Sequence, residues 1–168
     1  GRFHSTPEQY ENIDPSTGRS LGTVARCGAE DVELAVQAAE QAQPAWARLA
    51  PAERGKVLTA MATLIRESVD ELSVIESEDT GKPLSQARND VMVCARYFDF
   101  YGHVIDAYFG RQIPLGSNNL VYTTREPFGV AGHIFAWNYP LQIMARAVAP
   151  SLAVGNASVA KPADETPR

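Results

Sequence analysis

The most constraining feature of the sequence is a strand–helix–strand pattern near its carboxyl end. Residues 130–135 form a short apolar run rich in β-branched and aromatic side chains, which predicts a buried strand that ends at Asn138. Residues 141–154 are mostly apolar and of helical length, and residues 158–160 predict a second strand that ends at Lys161. A crossover this long is what parallel pairing requires, so the pattern predicts an α/β fold.

Proline and glycine mark the limits of the crossover helix. Pro140 lies near its first turn, where proline is tolerated, and Gly155-Asn156 is a favoured stop. Pro150 predicts a kink or a division of this helix. Asn138 and Lys161 each follow the carboxyl end of a strand, so we expect them to face one crevice, where open α/β sheets bind ligands.

The residues around this pattern resemble those of the NAD(P)-dependent aldehyde dehydrogenases. The resemblance is carried by Trp-Asn-Tyr-Pro at residues 137–140, Gly-Asn at 155–156 and Lys-Pro-Ala at 161–163, which stand in the family's order and spacing. Segments at residues 12–18, 79–84 and 125–130 also match, so the resemblance covers nearly the whole chain.

The resemblance implies a fold and a domain organisation. The fold would be a partial Rossmann-like cofactor-binding domain with an amino-terminal hairpin, helices and a β-hairpin oligomerisation arm. Residues 1–110 would be the first part of the cofactor-binding domain, residues 111–128 the arm, and residues 129–168 a strand–helix–strand unit that continues beyond residue 168. An arm of this kind implies a homo-oligomer, a dimer or tetramer, when the protein is full length.

The resemblance also implies roles for individual residues. Asn138 would donate its amide to the oxyanion that forms when the aldehyde is attacked; alternatively, it caps the following helix. Lys161 would bind the adenosine ribose of the cofactor; alternatively, it is a solvated surface lysine. Asp164 stands where the family usually has glutamate, which leaves the choice between NAD and NADP open. The residues whose backbone would line the cofactor are Ile134, Phe135, Ala136 and Trp137.

Neither cysteine has the surroundings of the family's nucleophile. Cys27 follows a predicted hairpin and Cys94 lies within a predicted helix, so both are expected to be small buried residues. The nucleophile and the glutamate base would lie beyond residue 168. His4, His103 and His133 show no ligand spacing, so no metal site is predicted.

Charge and hydropathy exclude two classes of partner. The chain has 15 Lys and Arg against 20 Asp and Glu, a net charge of −5, so it lacks the positive field that nucleic acids require. The most apolar stretch, residues 141–154, is shorter than a bilayer span and contains Gln142 and Arg146, so no membrane span is predicted. The first five residues lack an apolar signal core, and two widely spaced cysteines fit a reducing cytoplasm.

The first half of the chain predicts a hairpin and three helices. Residues 10–13 and 21–25 flank a polar turn and predict the hairpin. Residues 30–43 have helical periodicity and should end at Pro44, whereas Pro51 opens a second helix. The apolar face of that second helix is predicted to consist of Leu58, Met61, Leu64 and Ile65.

Further along, Ser68 and Glu71 have capping-box spacing and predict the start of a third helix, which Gly81 ends. Residues 85–108 predict a long helix with a buried face of Cys94, Tyr97, Phe98, Tyr101 and Ile105. Residues 112–115 and 120–125 flank Gly-Ser-Asn-Asn and predict a two-stranded arm.

The resemblance therefore implies the amino-terminal portion of an enzyme that oxidises a small-molecule aldehyde to a carboxylic acid through a thiohemiacetal and a thioester. The fragment alone is expected to be inactive. Two alternatives remain open: an acylating or semialdehyde-specific member of the same superfamily, and a non-catalytic α/β assembly module.

Overall fold

The computed structural model describes residues 6–168, so His4 lies outside the described residues. In chain order the elements are β1 (Gln9–Ile13), β2 (Ser20–Ala25), α1 (Ala29–Ala47), α2 (Pro51–Glu67), α3 (Val69–Thr80), α4 (Leu84–Val104), a 3-10 turn (Ile105–Ala107), β3 (Gln112–Ile113), β4 (Val121–Tyr122), β5 (Val130–Ile134), α5 (Pro140–Ala153) and β6 (Ala157–Lys161).

The long helix α4 lies at the centre of the helical layer and contacts α2, α3 and α5. The face predicted from the sequence is confirmed, because Cys94, Phe98 and Ile105 are buried and Tyr97 and Tyr101 pack against them. These residues recur at helical spacing, so one stripe of α4 supplies much of the core.

Helices α2 and α4 approach each other through two glycines. A methyl group added at Gly55 would lie 2.3 Å from the Gly102 carbonyl oxygen, and one added at Gly102 would lie 2.9 Å from the Gly55 carbonyl oxygen. The two backbones are therefore in direct contact, which only residues without a side chain permit.

The amino-terminal hairpin is confirmed as an antiparallel pair of β1 and β2. Its turn is held by the Asp14 carboxylate, which accepts the Thr17 hydroxyl and the Ser16 N–H, both at 2.7 Å. The hydrogen bond from Thr17 is the main reason why the pKa of Asp14 lies below its usual value. Asn12 Nδ2 donates to the buried carboxylate of Asp79 at 2.5 Å, which fixes the hairpin to α3.

The prediction that Pro44 ends its helix is wrong, and Pro150 does not divide the helix that contains it. Helix α1 continues through Pro44 to Ala47, and α5 runs undivided through Pro150. In each case the residue four positions earlier, Glu40 or Arg146, is exposed, so water can bond the carbonyl oxygen that the proline leaves without a donor.

The last turn of α1 is also held from outside the helix. Gln43 Nε2 donates to the Gly155 carbonyl oxygen at 3.1 Å, and Trp46 Nε1 donates to the Leu152 carbonyl oxygen at 2.9 Å. These tertiary hydrogen bonds secure the turn beyond Pro44, and they join α1 to the end of α5.

Two details of α2 and α3 also differ from the prediction. Leu64 is 62% exposed, because the buried face of α2 runs through Leu58 and Ala62, and Leu64 lies about half a turn away from it. Ser68 begins α3 but makes no side-chain capping bond. Helix α2 runs directly into α3, so the Ser68 backbone lacks the extended conformation that a capping hydroxyl needs.

A buried arginine joins the ends of three helices. Arg54, near the start of α2, donates from Nε to the Ala153 carbonyl oxygen at 2.8 Å. Its Nη1 donates to the carbonyl oxygens of Leu49 at 2.5 Å and Ala47 at 3.3 Å. Burial lowers the pKa of Arg54, and the three carbonyl groups replace the water that the guanidinium gives up.

The arm predicted from the sequence is confirmed as an antiparallel ladder, although β3 and β4 are only two residues long each. Gln112 pairs with Tyr122 and Ile113 with Val121. Leu120 and Tyr122 are exposed. The arm therefore extends from the helical core with its apolar side chains open to contact.

The predicted parallel pairing is also confirmed: β5 pairs with β6 in register from Val130 with Ala157 to Ile134 with Lys161. Helices α1 and α5 contact this pair. The predicted burial of residues 130–135 is confirmed only in part: Phe135 is buried, whereas Gly132 is exposed and Ile134 is 85% exposed. The two helices cover only part of the two-stranded sheet.

None of the helices between residues 6 and 168 combines the length and apolar character needed to cross a membrane.

Candidate functional site

The segment between β5 and α5 places Asn138 on an exposed turn. Phe135 is buried in the core and donates its N–H to the Lys161 carbonyl oxygen at 3.0 Å, which extends the pairing of the strands by one residue. Trp137 and Asn138 form the turn, and Tyr139 is the residue that begins α5. The side chains of this turn are therefore held between two fixed elements.

The Asn138 carboxamide is available to a ligand. No side-chain capping bond is made at the start of α5, so Asn138 does not cap this helix. Within residues 6–168 its amide donates no hydrogen bond to the chain, whereas its backbone carbonyl accepts one from Lys82 at 3.1 Å. The structure thus fixes the backbone of Asn138 and leaves its side-chain donor unused.

A cavity of about 340 Å³ lies beside this turn. It is bounded by α4 and by the first two turns of α5. Its lining residues are Tyr97, Asn138, Tyr139, Gln142, Ile143 and Arg146. The walls of this cavity include two tyrosine rings, the carboxamides of Asn138 and Gln142, and the guanidinium of Arg146.

Lys161 lies at the end of β6 with an exposed ammonium group. Its Nζ donates to the Pro162 carbonyl oxygen at 2.8 Å and forms an ion pair with the Asp164 carboxylate. The hydrogen bond from Lys161 is the main cause of the lowered pKa of Asp164. The pair presents one cationic donor and one anionic acceptor at the strand end.

The predicted site residues form two groups. Ile134 and Lys161 are register partners, and Asp164 is paired with Lys161, so these three lie at the same end of the parallel pair. Asn138 lines the cavity beside α4 and α5, which neither Lys161 nor Asp164 borders. Ala136 and Trp137 are exposed between the two groups. That all of them serve one crevice stays a prediction.

A buried charged cluster lies directly beneath the Asn138 turn, and sequence reasoning did not identify it as a unit. Lys82 donates to the carboxylates of Glu76 and Asp90, both at 2.7 Å. Its ammonium also lies 4.7 Å from the centroid of the Tyr139 ring. Asp90 in turn accepts the Gln142 amide at 2.5 Å. We define the charged cluster as Glu76, Lys82, Asp90 and Gln142.

Burial controls the ionisation of this cluster. Desolvation raises the pKa of Glu76, although the hydrogen bond from Lys82 opposes it. Desolvation by itself lowers the pKa of Lys82, but the hydrogen bonds to Asp90 and Glu76 outweigh it, so the pKa lies above its usual value. Lys82 is therefore a permanent cation beneath the turn.

The two thiols are in different environments. Cys94 is buried, and desolvation raises its pKa to about 12, so it is not an activated nucleophile. Cys27 is exposed, so the prediction that it is buried is wrong. The residue lies in the connection between β2 and α1.

The histidines do not form a metal centre in the described part of the chain. His133 Nε2 lies 3.2 Å from the Ser158 hydroxyl, and its ring stacks on Phe135. Between residues 6 and 168 no group of three or more His, Cys, Asp or Glu side chains is arranged to hold a metal ion.

Comparison with known proteins gives a consistent result. The family model described as "Aldehyde dehydrogenase family" matches residues 3–168. A Burkholderia cenocepacia protein provisionally assigned as an aldehyde dehydrogenase is 46% identical, with a TM-score of 0.93 over 95% of this chain and 34% of its own. PnpE from Pseudomonas sp. WBC-3 is 38% identical, with a TM-score of 0.96 over 99% of this chain and 35% of its own.

A third solved structure, HpcC from Thermus thermophilus, is 37% identical, with a TM-score of 0.94 over 99% of this chain and 33% of its own. PnpE has also been solved in complex with nicotinamide adenine dinucleotide. The chain spans about a third of the length of the structures it matches.

Proposed function

Because the chain belongs to the aldehyde dehydrogenase family, we propose that it is the amino-terminal part of an enzyme that oxidises an aldehyde to a carboxylic acid with NAD or NADP. We assign the catalytic thiol and the base to a part of that enzyme outside this segment, because Cys94 is buried with a raised pKa and Cys27 lies at an exposed position after the hairpin.

The observation that carries this proposal is the unused carboxamide of Asn138 beside the cavity. When a thiolate attacks an aldehyde, the carbonyl oxygen becomes an oxyanion, and a donor held in place stabilises it. The Asn138 amide is neutral, lies on a turn fixed between β5 and α5, and has no competing acceptor within residues 6–168. We assign it to the oxyanion, as the family resemblance implied.

The residues at the end of the parallel pair fit a nicotinamide dinucleotide. Lys161 and Asp164 offer an exposed donor and acceptor, which is the set that ribose hydroxyl groups require. Ile134, Ala136 and Trp137 are exposed and would line the cofactor. The Phe135 N–H is already bonded to Lys161, so Phe135 would contribute through another atom. When bound, the cofactor supplies the hydride acceptor.

The test of this function is Asn138→Ala in the complete enzyme. Loss of one oxyanion donor is expected to lower kcat by about 10²–10³, or roughly 3 kcal/mol, with little change in cofactor affinity. Asn89→Ala, at an exposed position on α4, is the matched control and should leave kcat unchanged. An Asn138→Ala enzyme with the wild-type kcat would contradict the assignment.

An activity assay of the 168-residue chain tests only the prediction that this segment is inactive alone. We expect no sustained cofactor reduction when aldehyde and NAD are added to it, because we assign the catalytic thiol and the base to a part of the enzyme outside this segment. A module would also be inactive, so the deciding measurement is the sequence that follows codon 168 in the gene. A reactive cysteine and a glutamate in family context there support the enzyme.

We also propose that β3 and β4 act as an oligomerisation arm that pairs with a second subunit in a dimer or tetramer. The exposed Leu120 and Tyr122 on this short ladder support the proposal. We further propose that the chain is divided into residues 1–110 (first part of the cofactor-binding domain), 111–128 (the arm) and 129–168 (the strand–helix–strand unit). The two free thiols agree with the cytoplasmic location that we propose.

A further inference from the structure

Lys82 is placed beneath the Asn138 turn by the way in which α3 ends. Gly81 has φ +73 and terminates the helix, so the chain reverses toward α4 immediately before Lys82. The Lys82 side chain is only 8% exposed. Its ammonium group is therefore held inside the protein instead of extending into water.

The three protons of this ammonium have three acceptors. Two are the carboxylates of Glu76 and Asp90, and the third is the backbone carbonyl oxygen of Asn138. The face of the Tyr139 ring lies 4.7 Å away, within the range of a cation–π contact. One cation thus bonds to α3, to α4 and to the turn that carries the proposed oxyanion donor.

A second connection runs from the same cluster to α5. Asp90 accepts a hydrogen bond from the Lys82 ammonium on Oδ2 and one from the Gln142 amide on Oδ1. Gln142 is in the first turn of α5, four residues after Asn138. Asp90 therefore ties both sides of the Asn138 turn to α4.

Stability does not account for this arrangement. Two carboxyl groups and one ammonium are buried together, and the second oxygen of Glu76 has no partner among the described residues. Buried ionic groups are often less stabilising than apolar residues of the same volume. A functional role is the better explanation for charges that contact a site.

We infer that Lys82 is a positioning residue that holds the Asn138 carboxamide in the direction of the reacting aldehyde. This inference depends on the proposed function. The Lys82 hydrogen bond fixes the carbonyl of Asn138 and hence the peptide plane that follows its α-carbon. With that plane fixed, the Asn138 side chain starts from one backbone geometry, and little reorganisation is needed when the oxyanion forms.

The test is a double-mutant cycle in the complete enzyme with Lys82→Met and Asn138→Ala. Lys82→Met removes the cation and keeps an unbranched side chain, and we expect kcat to fall about 10- to 100-fold with the KM for cofactor unchanged, because small displacements of catalytic groups have effects of this size. In the Asn138→Ala background the same change should lower kcat no further. Lys56→Met, which breaks an exposed ion pair with Glu53, is the control and should leave kcat unchanged in both backgrounds.

Additive losses in the cycle, or wild-type kcat in a folded Lys82→Met enzyme, would overturn the positioning role and leave the proposed function intact. Wild-type kcat in Asn138→Ala alone would contradict the oxyanion role proposed for Asn138, and with it this inference. If Lys82→Met does not fold, Asp90→Asn takes its place, since it keeps the shape of the side chain and removes only its charge. The same non-additivity with Asn138→Ala is expected, and additivity again overturns the inference.

Discussion

Among single residues, Glu76 has the least favourable environment of the charged groups described. It is buried and one of its carboxylate oxygens has no partner within residues 6–168, so desolvation raises its pKa in spite of the ion pair with Lys82. Asp90 and the Cys94 thiol also face it. The folded protein therefore holds the Glu76 proton more tightly than the unfolded chain does.

This predicts a pH dependence of stability with a definite sign. Above the ordinary pKa of 4.5 the unfolded chain releases the proton first, so the free energy of unfolding falls as pH rises until Glu76 is ionised in the folded state too. Each unit of difference between the two pKa values is worth about 1.4 kcal/mol. Glu76→Gln should remove this decline.

Urea unfolding of the 168-residue chain from pH 4.5 upward measures the effect. The exposed Glu67→Gln variant is the control and should follow the wild-type curve. Parallel curves for wild type and Glu76→Gln would show that the carboxyl group ionises normally inside the protein.

The two cysteines predict selective alkylation. With a pKa of about 12, Cys94 has about one thiolate in 10⁴ molecules at pH 8, and it is also buried, whereas Cys27 is exposed. Iodoacetamide should add one label to the native chain, at Cys27, and two after denaturation in urea. Mass spectrometry with peptide mapping checks this, and equal labelling of both thiols in the native chain would refute it.

Sequence reasoning identified Asn138 because the residue combines a strand end, a following proline and a family motif. It did not identify the charged cluster. Glu76, Lys82 and Asp90 are charged residues within or beside helices, where solvent exposure is the usual expectation. Their burial depends on Gln142 and the Asn138 carbonyl, which are more than fifty residues away along the chain.

For the helices, the contact between Gly55 and Gly102 predicts a large effect of a small change. A methyl group at Gly55 would meet a backbone oxygen at 2.3 Å, so α2 and α4 must separate. Gly55→Ala should destabilise the chain by about 2 kcal/mol or more, even though alanine favours helices by about 1 kcal/mol. Gly132→Ala, where a methyl group meets nothing within 4 Å, should change stability by less than about 0.5 kcal/mol.

Thermal or urea unfolding of both variants measures this difference. Unchanged stability of Gly55→Ala would mean that the two helices can move apart freely. Such freedom would conflict with the buried residues that surround the contact, among them Leu58 and Ile105.

The helix ends that were predicted correctly are those set by the backbone conformation of a single proline or glycine. Pro51 begins α2 with a suitable φ, and Gly81 ends α3 in the left-handed region. Pro44 was misjudged because its effect depends on neighbours: hydrogen bonds from Gln43 and Trp46 to the end of α5 keep the last turn helical. Local rules do not contain such distant partners.

For the whole molecule, the open surface around the parallel pair has a measurable consequence. Phe128 is 99% exposed just before β5, and Ile134 and Trp137 are exposed at its other end. Large apolar side chains exposed in this way bind hydrophobic dyes. We expect the 168-residue chain to enhance the fluorescence of 8-anilinonaphthalene-1-sulfonate.

Phe128→Ser should reduce this fluorescence with no loss of melting temperature, because the ring makes almost no contact within the chain. Leu64→Ser, at an exposed apolar position on α2, is the matched control and should reduce it less. If the wild-type chain does not bind the dye, these exposed side chains do not form a continuous apolar surface.

The general architecture followed from the sequence, since the parallel crossover was visible in the order of apolar runs and in the length of the helix between them. The extent of the sheet could not be predicted from the sequence. Residues 130–135 have the composition of a buried strand, but burial requires elements on both sides, and within residues 6–168 β5 has only β6 as a strand neighbour.

Arg54 connects parts of the chain that lie far apart in sequence. Its guanidinium bonds the carbonyl groups of Ala47, Leu49 and Ala153, so the end of α1, the loop before α2 and the end of α5 cannot open separately without breaking charge-assisted hydrogen bonds in the interior. Amide protons in these three stretches should exchange with solvent deuterium at a common rate, as one cooperative unit.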